Sequence, residues 1–274
     1  MSQPDHTMIG LGLDIGMTYC GAAVSYYSDS DSWIRVEVIE TGGQGSEYRE
    51  PSKLFYLEGM KEPLIGLQAQ SRYLDGAKGR FVERFKRWFA HFIKRDENLR
   101  AITDTAELIK YLKRNIDRYL SATGLNKRQP RYAFSHPGSW GNDEKRDFLK
   151  AINAAGIGSA ALIEEPVAAA LAAAFIPALA HNLRGERVVL VCDIGGGTTD
   201  LSLVTFDAGG AIKMLGQTDG NPELGMSNLD QLIGLMIIDK TRGISDPDDR
   251  KPLAYADVVG KHLQSAWDKL SLTP

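Results

Sequence analysis

The chain has 274 residues, 43% of them hydrophobic and 24% charged, which is enough for one large core or two modest ones. Its formal net charge of -3 gives no electrostatic ground for binding nucleic acid or an anionic membrane. Two cysteines, Cys20 and Cys192, are too few for a disulfide framework, and their apolar, strand-like settings predict buried free thiols in a reducing compartment.

Along the chain, Met8–Leu13 is an apolar run ending in Asp14-Ile15-Gly16, and strand character resumes at Tyr19–Tyr27. The pattern predicts a hairpin around a polar, glycine-bearing turn. The first residues lack a basic start, and Gly10, Gly12 and Asp14 break their apolar stretch, which argues against a signal peptide. Trp33–Ile39 alternates like a further strand, and Pro51–Leu57 returns to strand after a loop-like Thr41–Glu50. Arg72–Arg100 is basic and aromatic, and Phe81, Phe85, Trp88, Phe89 and Phe92 recur at helical spacing, so a core-facing helical stripe is expected there. A nucleic-acid role for Lys78–Arg100 is set aside, because the aromatics keep a helical period and Glu83, Asp96 and Glu97 dilute the charge.

Thr105–Tyr119 is a second amphipathic helix, with Leu108, Ile109, Leu112, Ile116 and Tyr119 on one face. A short strand follows at Tyr132–Ser135, then a turn at Pro137–Gly141 and a helix capped by Asn142 or Asp143 that runs to about Ala155. Pro166 suits the first turn of a helix over Val167–Phe175. The apolar run Val167 to Ala180 is too short to span a bilayer, contains Pro177, and is read as a buried helix. The cytoplasm is therefore the expected location. Arg187–Cys192 and Leu201–Phe206 pair across a second glycine turn. Helices near Asn228–Lys240 and Ala254 to Leu270 flank a loop at Asp246–Pro252.

The most informative pattern is a repeat. An apolar strand, Asp-Ile-Gly, a hydroxyl residue and a second strand occur at Asp14 and again at Asp193, about one domain's length apart. In Asp193-Ile-Gly-Gly-Gly-Thr-Thr-Asp200, consecutive glycines let backbone N–H groups approach an anion, and Thr198 adds a hydroxyl donor. Asp193 and Asp200 beside such a loop would repel phosphate unless a cation intervened, which implies Mg²⁺ held largely through water. Asp14-Ile-Gly-Met-Thr18 alone reads more readily as a structural turn than as a phosphate loop, and gains meaning only beside the second loop. Glu164-Glu165-Pro166 closes a strand and opens a helix. Such a carboxylate can orient an attacking water, or can simply be an acid favoured by the helix dipole. The five histidines have no metal-ligand spacing, and Gly138-Ser139-Trp140-Gly141 is not a nucleophile elbow.

Leu13-Asp14-Ile15-Gly16, Glu165-Pro166-Val167-Ala168-Ala169-Ala170 and Asp193–Asp200 stand in the order and approximate spacing of the heat-shock 70 kDa (DnaK-type) ATPase domain. Tyr132-Ala-Phe-Ser-His-Pro137, and Leu224-Gly225 with Asp230, resemble two further stretches of that family. The resemblance implies an α/β, actin-like ATPase fold: duplicated ribonuclease H-like domains with mixed five-stranded sheets flanked by helices. It implies a first lobe at 1–183 with an inserted subdomain at about 41–104, and the beginning of a second lobe at 184–274. It implies ATP/ADP and Mg²⁺ as ligands, slow hydrolysis of the γ-phosphate coupled to lobe closure, and client proteins or co-chaperones as possible partners, with no nucleic acid and no membrane. Asp14 and Asp193 would hold the metal through water. Gly16, Met17, Thr18, Gly195, Gly196, Gly197 and Thr198 would line the phosphates. Glu165 and Asp200 would position the attacking water, and Lys86 resembles the family's active-site lysine, its alternative being a solvated position on a basic helix.

Three departures accompany the resemblance. Met17 stands where the family usually has a hydroxyl, and Met226 where a second glycine would follow Gly225. The family's adenosine-binding glycine motif and closing helix would fall after Pro274, so a fragment, a truncated gene product or a degenerate relative is expected. An actin-like filament or segregation ATPase, a sugar or acid kinase, and a nucleotide-free pseudoenzyme share the fold, which cannot choose among them. No sugar-binding polar cluster is visible, and the lysine-bearing insertion favours the chaperone branch.

Overall fold

A computed structural model describes residues 6–28, 33–41, 48–84, 86, 89, 95–183, 185–196, 198–221, 225, 226 and 233. The chain is mixed α/β and divides into two units, Met1–Cys192 with Leu201–Asp219, and Asp193–Asp200 with Gly220–Pro274.

In the first unit, β1 (Met8–Ile15) and β2 (Tyr19–Ser28) form the expected hairpin, and β3 (Trp33–Ile39) extends it antiparallel. β8 (Gln129–His136) and β9 (Ala160–Glu164) add in parallel on the other side of β1, giving the order β3-β2-β1-β8-β9. The two-residue β4 (Glu50–Pro51) pairs beside the start of β2. A smaller sheet, β6-β5-β7, comprises Leu64–Ile65, Lys53–Leu57 and Gly79–Glu83. Strand period sends Ile9, Leu11, Leu13 and Ile15 of β1 to one buried face. They share a core with Leu108, Ile109, Leu112 and Ile116 of the long helix α2 (Arg95–Thr123), and with Phe148 and Ile152 of α3 (Asn142–Ala154). The apolar stripe expected on α2 is thus the face that packs.

Buried polar groups tie these layers together. The Glu50 carboxylate accepts the Leu67 N–H (3.0 Å) at the start of α1 (Leu67–Leu74) and the Tyr111 hydroxyl of α2 (3.1 Å). Gly66 is left-handed (φ 64°), and a Cβ there would fall 1.5 Å from Glu50 Oε1, so only glycine fits. Asp104 on α2 accepts two hydrogen bonds from Arg80 (2.7 and 2.8 Å) and one from the Tyr56 hydroxyl (2.6 Å), fastening the small sheet to the long helix.

Several expectations are corrected. Residues 79–83 are strand β7, not helix: Phe81 stacks on Tyr73 (4.1 Å between centroids) and pairs with Phe55 across strands. Phe89 is buried, whereas Phe85, Trp88 and Phe92 lie outside the described residues. The cap of α3 is Gly141, one residue earlier than expected, whose N–H donates to Glu144 (3.0 Å). The run from 167 to 180 is not one buried helix. α4 (Glu165–Ala174) ends at Phe175, which is exposed, and α5 (Pro177–Ala180) restarts behind proline. Cys20 is buried as expected, but Cys192 is exposed. It lies on β10 (Arg187–Ile194), next to β11 (Thr199–Phe206), with β12 (Ile212–Met214) beyond and β13 (Asp219–Asn221) paired to β11. The elements expected after 227 lie outside the described residues, Ile233 apart. Among the described residues no helix is long and apolar enough to cross a membrane.

The burial pattern separates packing from surface. Leu112→Ala, at a fully buried position, is expected to destabilise the chain by about 2–5 kcal/mol. Val36→Ala, on the outer face of β3 with 54% exposure, should change stability by less than about 0.5 kcal/mol. Urea unfolding followed by circular dichroism measures both.

Candidate phosphate-binding site

In the first unit the site begins at the end of β1. The parallel register that sets Leu13 against Phe134 places Ser135 beside Asp14, and the Ser135 hydroxyl donates to Asp14 Oδ1 (2.6 Å). Ser135 is buried while Asp14 is exposed, so the serine fixes the carboxylate from below and leaves it open to solvent. Sequence reasoning missed Ser135, because nothing in the primary structure announces the alignment of β1 with β8. After Asp14 the chain turns at Gly16, where a Cβ would come within 2.3 Å of the Tyr19 carbonyl oxygen. The Thr18 carbonyl accepts the Ser52 N–H (2.8 Å), which anchors the turn to the start of the small sheet. Met17 is half-buried and Thr18 exposed.

Strand β9 runs without a loop into α4. Glu164 is the last strand residue and the helix N-cap, Glu165 opens the first turn, and Pro166 follows where a missing N–H costs nothing. This junction aims Glu165 at Lys86: Nζ lies 2.6 Å from Glu165 Oε1, with side-chain exposures of 5% for the lysine and 21% for the glutamate. A solvated position on a basic helix is therefore overturned for Lys86. An ammonium this shielded retains its charge through such a partner. The connection from β8 to α3 borders the same group. Trp140 presents its ring to Lys86 Nζ (5.9 Å to the centroid), and its backbone N–H donates to the Pro137 carbonyl (3.1 Å). His136, parallel to Trp140, is buried, with Nδ1 2.8 Å from the Pro137 oxygen.

In the second unit, the Gly195 N–H donates to the Thr198 carbonyl (2.8 Å), closing a turn between β10 and β11. The Thr198 hydroxyl donates to Asp200 Oδ2 (3.1 Å). The Met226 N–H donates to the Gly195 carbonyl (3.1 Å). A Cβ on Gly220 would stand 2.4 Å from Asp200 Oδ1, so this glycine, also missed in the sequence, makes room for the carboxylate. Asp193, Gly195, Gly196, Thr198 and Asp200 are half-buried, and Gly197 lies outside the described residues. Of the expected site residues, Lys86 and Glu165 are in direct contact, Asp14 bonds Ser135, and Thr198 bonds Asp200.

Among the described residues no group of three or more His, Cys, Asp or Glu side chains could hold a metal ion. Magnesium keeps most of its waters and takes one or two carboxylates, so an exposed Asp14 fixed through one oxygen suits it as a donor.

Residues 91–255 match the family model described as Hsp70 protein. The chain is similar to the chaperone protein HscA of Buchnera aphidicola subsp. Baizongia pistaciae (strain Bp), 24% identical over 261 residues that cover 86% of this chain and 46% of that protein. It is also similar to the chaperone protein DnaK of Endomicrobium trichonymphae, 27% identical over 247 residues that cover 88% of this chain and 37% of that protein. The chain thus spans less than half the length of each of these two relatives.

Burial holds the His136 pKa below the ordinary histidine value, against the opposing hydrogen bond to Pro137. A depressed folded-state value means that the unfolded chain takes up the proton first on acidification. The stability from neutral His136 is therefore complete above about pH 6.5 and is lost as pH falls through the lower folded value. Urea midpoints measured from pH 7.5 to 5 should fall on acidification, and His136→Gln should flatten that slope; an unchanged slope would show that another group carries it.

Proposed function

The chain belongs to the Hsp70 protein family, and from that premise we propose that it binds Mg·ATP and hydrolyses the γ-phosphate slowly. The observation that carries this reading is the Lys86–Glu165 pair at the β9–α4 junction. A buried ammonium paired with a carboxylate can shift toward a more negative group, and a phosphoryl group in transfer is one. Glu165, relieved of part of that pairing, then accepts a hydrogen bond from water and orients it. Asp14, steadied by Ser135, and Asp193 are assigned to metal-bound water, with Gly16, Thr18, Gly195, Gly196, Gly197 and Thr198 donating to phosphate oxygens. Asp200 is assigned to positioning water with Glu165. Bound Mg²⁺ would draw negative charge from the phosphates. The tight turn at Gly16 supports these assignments, because a side chain there would displace the Tyr19 carbonyl and open the loop.

The repeat of Asp-Ile-Gly at Asp14 and Asp193 supports a duplicated ribonuclease H-like fold, with a first lobe at 1–183 carrying an insertion near 41–104 and a second beginning at 184. Coupling of hydrolysis to lobe closure, interaction with clients or co-chaperones, and a cytoplasmic location belong to the same proposal. A second reading, in which nucleotide binds without turnover, is favoured by Met17: a half-buried thioether at the phosphate turn offers no donor where the family usually has a hydroxyl.

Single-turnover release of γ-phosphate tests hydrolysis. Glu165→Gln is expected to slow it by about 100-fold and Lys86→Ala by about 100- to 1,000-fold, with nucleotide affinity changed only a few-fold. Wild-type rates in both variants would overturn the roles assigned to this pair. Absence of turnover in a wild-type chain that still binds Mg·ATP would select the second reading.

A further inference from the structure

We propose that Trp140 is a positioning residue for Lys86, holding its ammonium opposite Glu165; the consequence for turnover rests on the hydrolytic reading above. Two independent contacts carry the inference. The first is electrostatic: Lys86 Nζ lies over the Trp140 ring, 5.9 Å from its centroid, while the same nitrogen is 2.6 Å from Glu165 Oε1. Indole has the most negative ring face of the aromatic side chains, so it attracts an ammonium withdrawn from water without neutralising it. The second is steric: Phe89, three residues beyond Lys86, packs on the same indole (5.6 Å between centroids). Trp140 therefore faces the cation and packs on Phe89, which follows Lys86 in the chain.

The ring is itself fixed. Phe148 of α3 meets it edge-on (5.4 Å, 76°) and His136 lies parallel to it (6.0 Å, 7°), while the backbone N–H of Trp140 donates to the Pro137 carbonyl (3.1 Å) and holds the main chain that carries the ring. A rigid ring beside a long, flexible side chain reduces the positions open to the ammonium without forming a bond that must later be broken. At 5.9 Å the attraction is near the outer end of the useful range, so its effect is expected to be moderate.

The test compares Trp140→Leu, Trp140→Phe, Lys86→Ala and the double variant Trp140→Leu/Lys86→Ala. Trp140→Leu should slow single-turnover γ-phosphate release by about 5- to 10-fold while leaving Mg·ATP affinity unchanged, and Trp140→Phe should recover most of the rate. In the Lys86→Ala background the leucine substitution should cost nothing further. An equal loss on both backgrounds, or a wild-type rate in Trp140→Leu, would overturn the proposal. A second readout needs no nucleotide. The Lys86 ε-methylene protons should be ring-current shifted upfield in the wild-type NMR spectrum and should return to ordinary values in Trp140→Leu. A chain that fails to hydrolyse ATP but shows the shifted lysine would sink the hydrolytic reading and keep the positioning. Unshifted wild-type lysine protons would overturn the positioning, even if Trp140→Leu does not fold.

Discussion

A lysine ammonium withdrawn from water needs an anion within hydrogen-bonding reach, and in this chain that requirement links three segments. Lys86 follows the last strand of the small sheet, Glu165 opens α4 at the carboxyl end of β9, and Trp140 lies in the connection that leaves β8. The pair forms only if β9 passes into its helix without a loop and the segment after β7 returns toward that junction. Removing one member of a shielded ion pair generally costs more than the pair contributes, because the remaining charge stays withdrawn from water. The same constraint gives the pair its chemical interest, because a shielded charge responds strongly to any new charge placed beside it.

Elsewhere in the first unit the fold uses buried and half-buried carboxylates as fasteners. Glu50 joins the start of α1 to the middle of α2, and Asp104 joins the small sheet to α2 through Arg80 and Tyr56. Glu37 on β3 accepts the hydroxyls of Tyr119 and Tyr26, and these bonds hold its carboxyl below the usual carboxylate range. Each fastener spans elements far apart in sequence, so the small sheet and the long helix are set by hydrogen bonds as well as apolar packing. Asp14 differs: its buried partner is one serine, and its carboxylate remains exposed. An acid held by a buried hydroxyl and still exposed to solvent is accessible in a way that the cohesive carboxylates are not.

Where periodicity was strong, the primary structure was readable. The stripe Leu108, Ile109, Leu112 and Ile116 packs as a helical repeat predicts, and the alternation on either side of Asp14-Ile-Gly becomes a hairpin. Pro166 marks the start of α4 because proline fits the first turn and little else in a helix. The reading failed at 79–83, where Phe81 matched a helical period by coincidence and pairing with β5 decided the conformation. It failed at Cys192, whose apolar neighbours gave no sign that its side of β10 would be exposed. Ser135, Trp140 and Gly220 escaped notice for one reason: each acts through a neighbour distant in sequence, and strand register or a turn, not local composition, creates the contact. The pairing of Lys86 with Glu165 was likewise invisible in the sequence, although both residues were singled out.

Calorimetric titration of ATP into the purified chain, with Mg²⁺ and then with EDTA, tests the central claim most directly. The account predicts saturable binding with Mg²⁺ that weakens by at least about tenfold when the metal is removed, and a comparable loss in Asp14→Asn. A folded chain that takes up no nucleotide under either condition would contradict it.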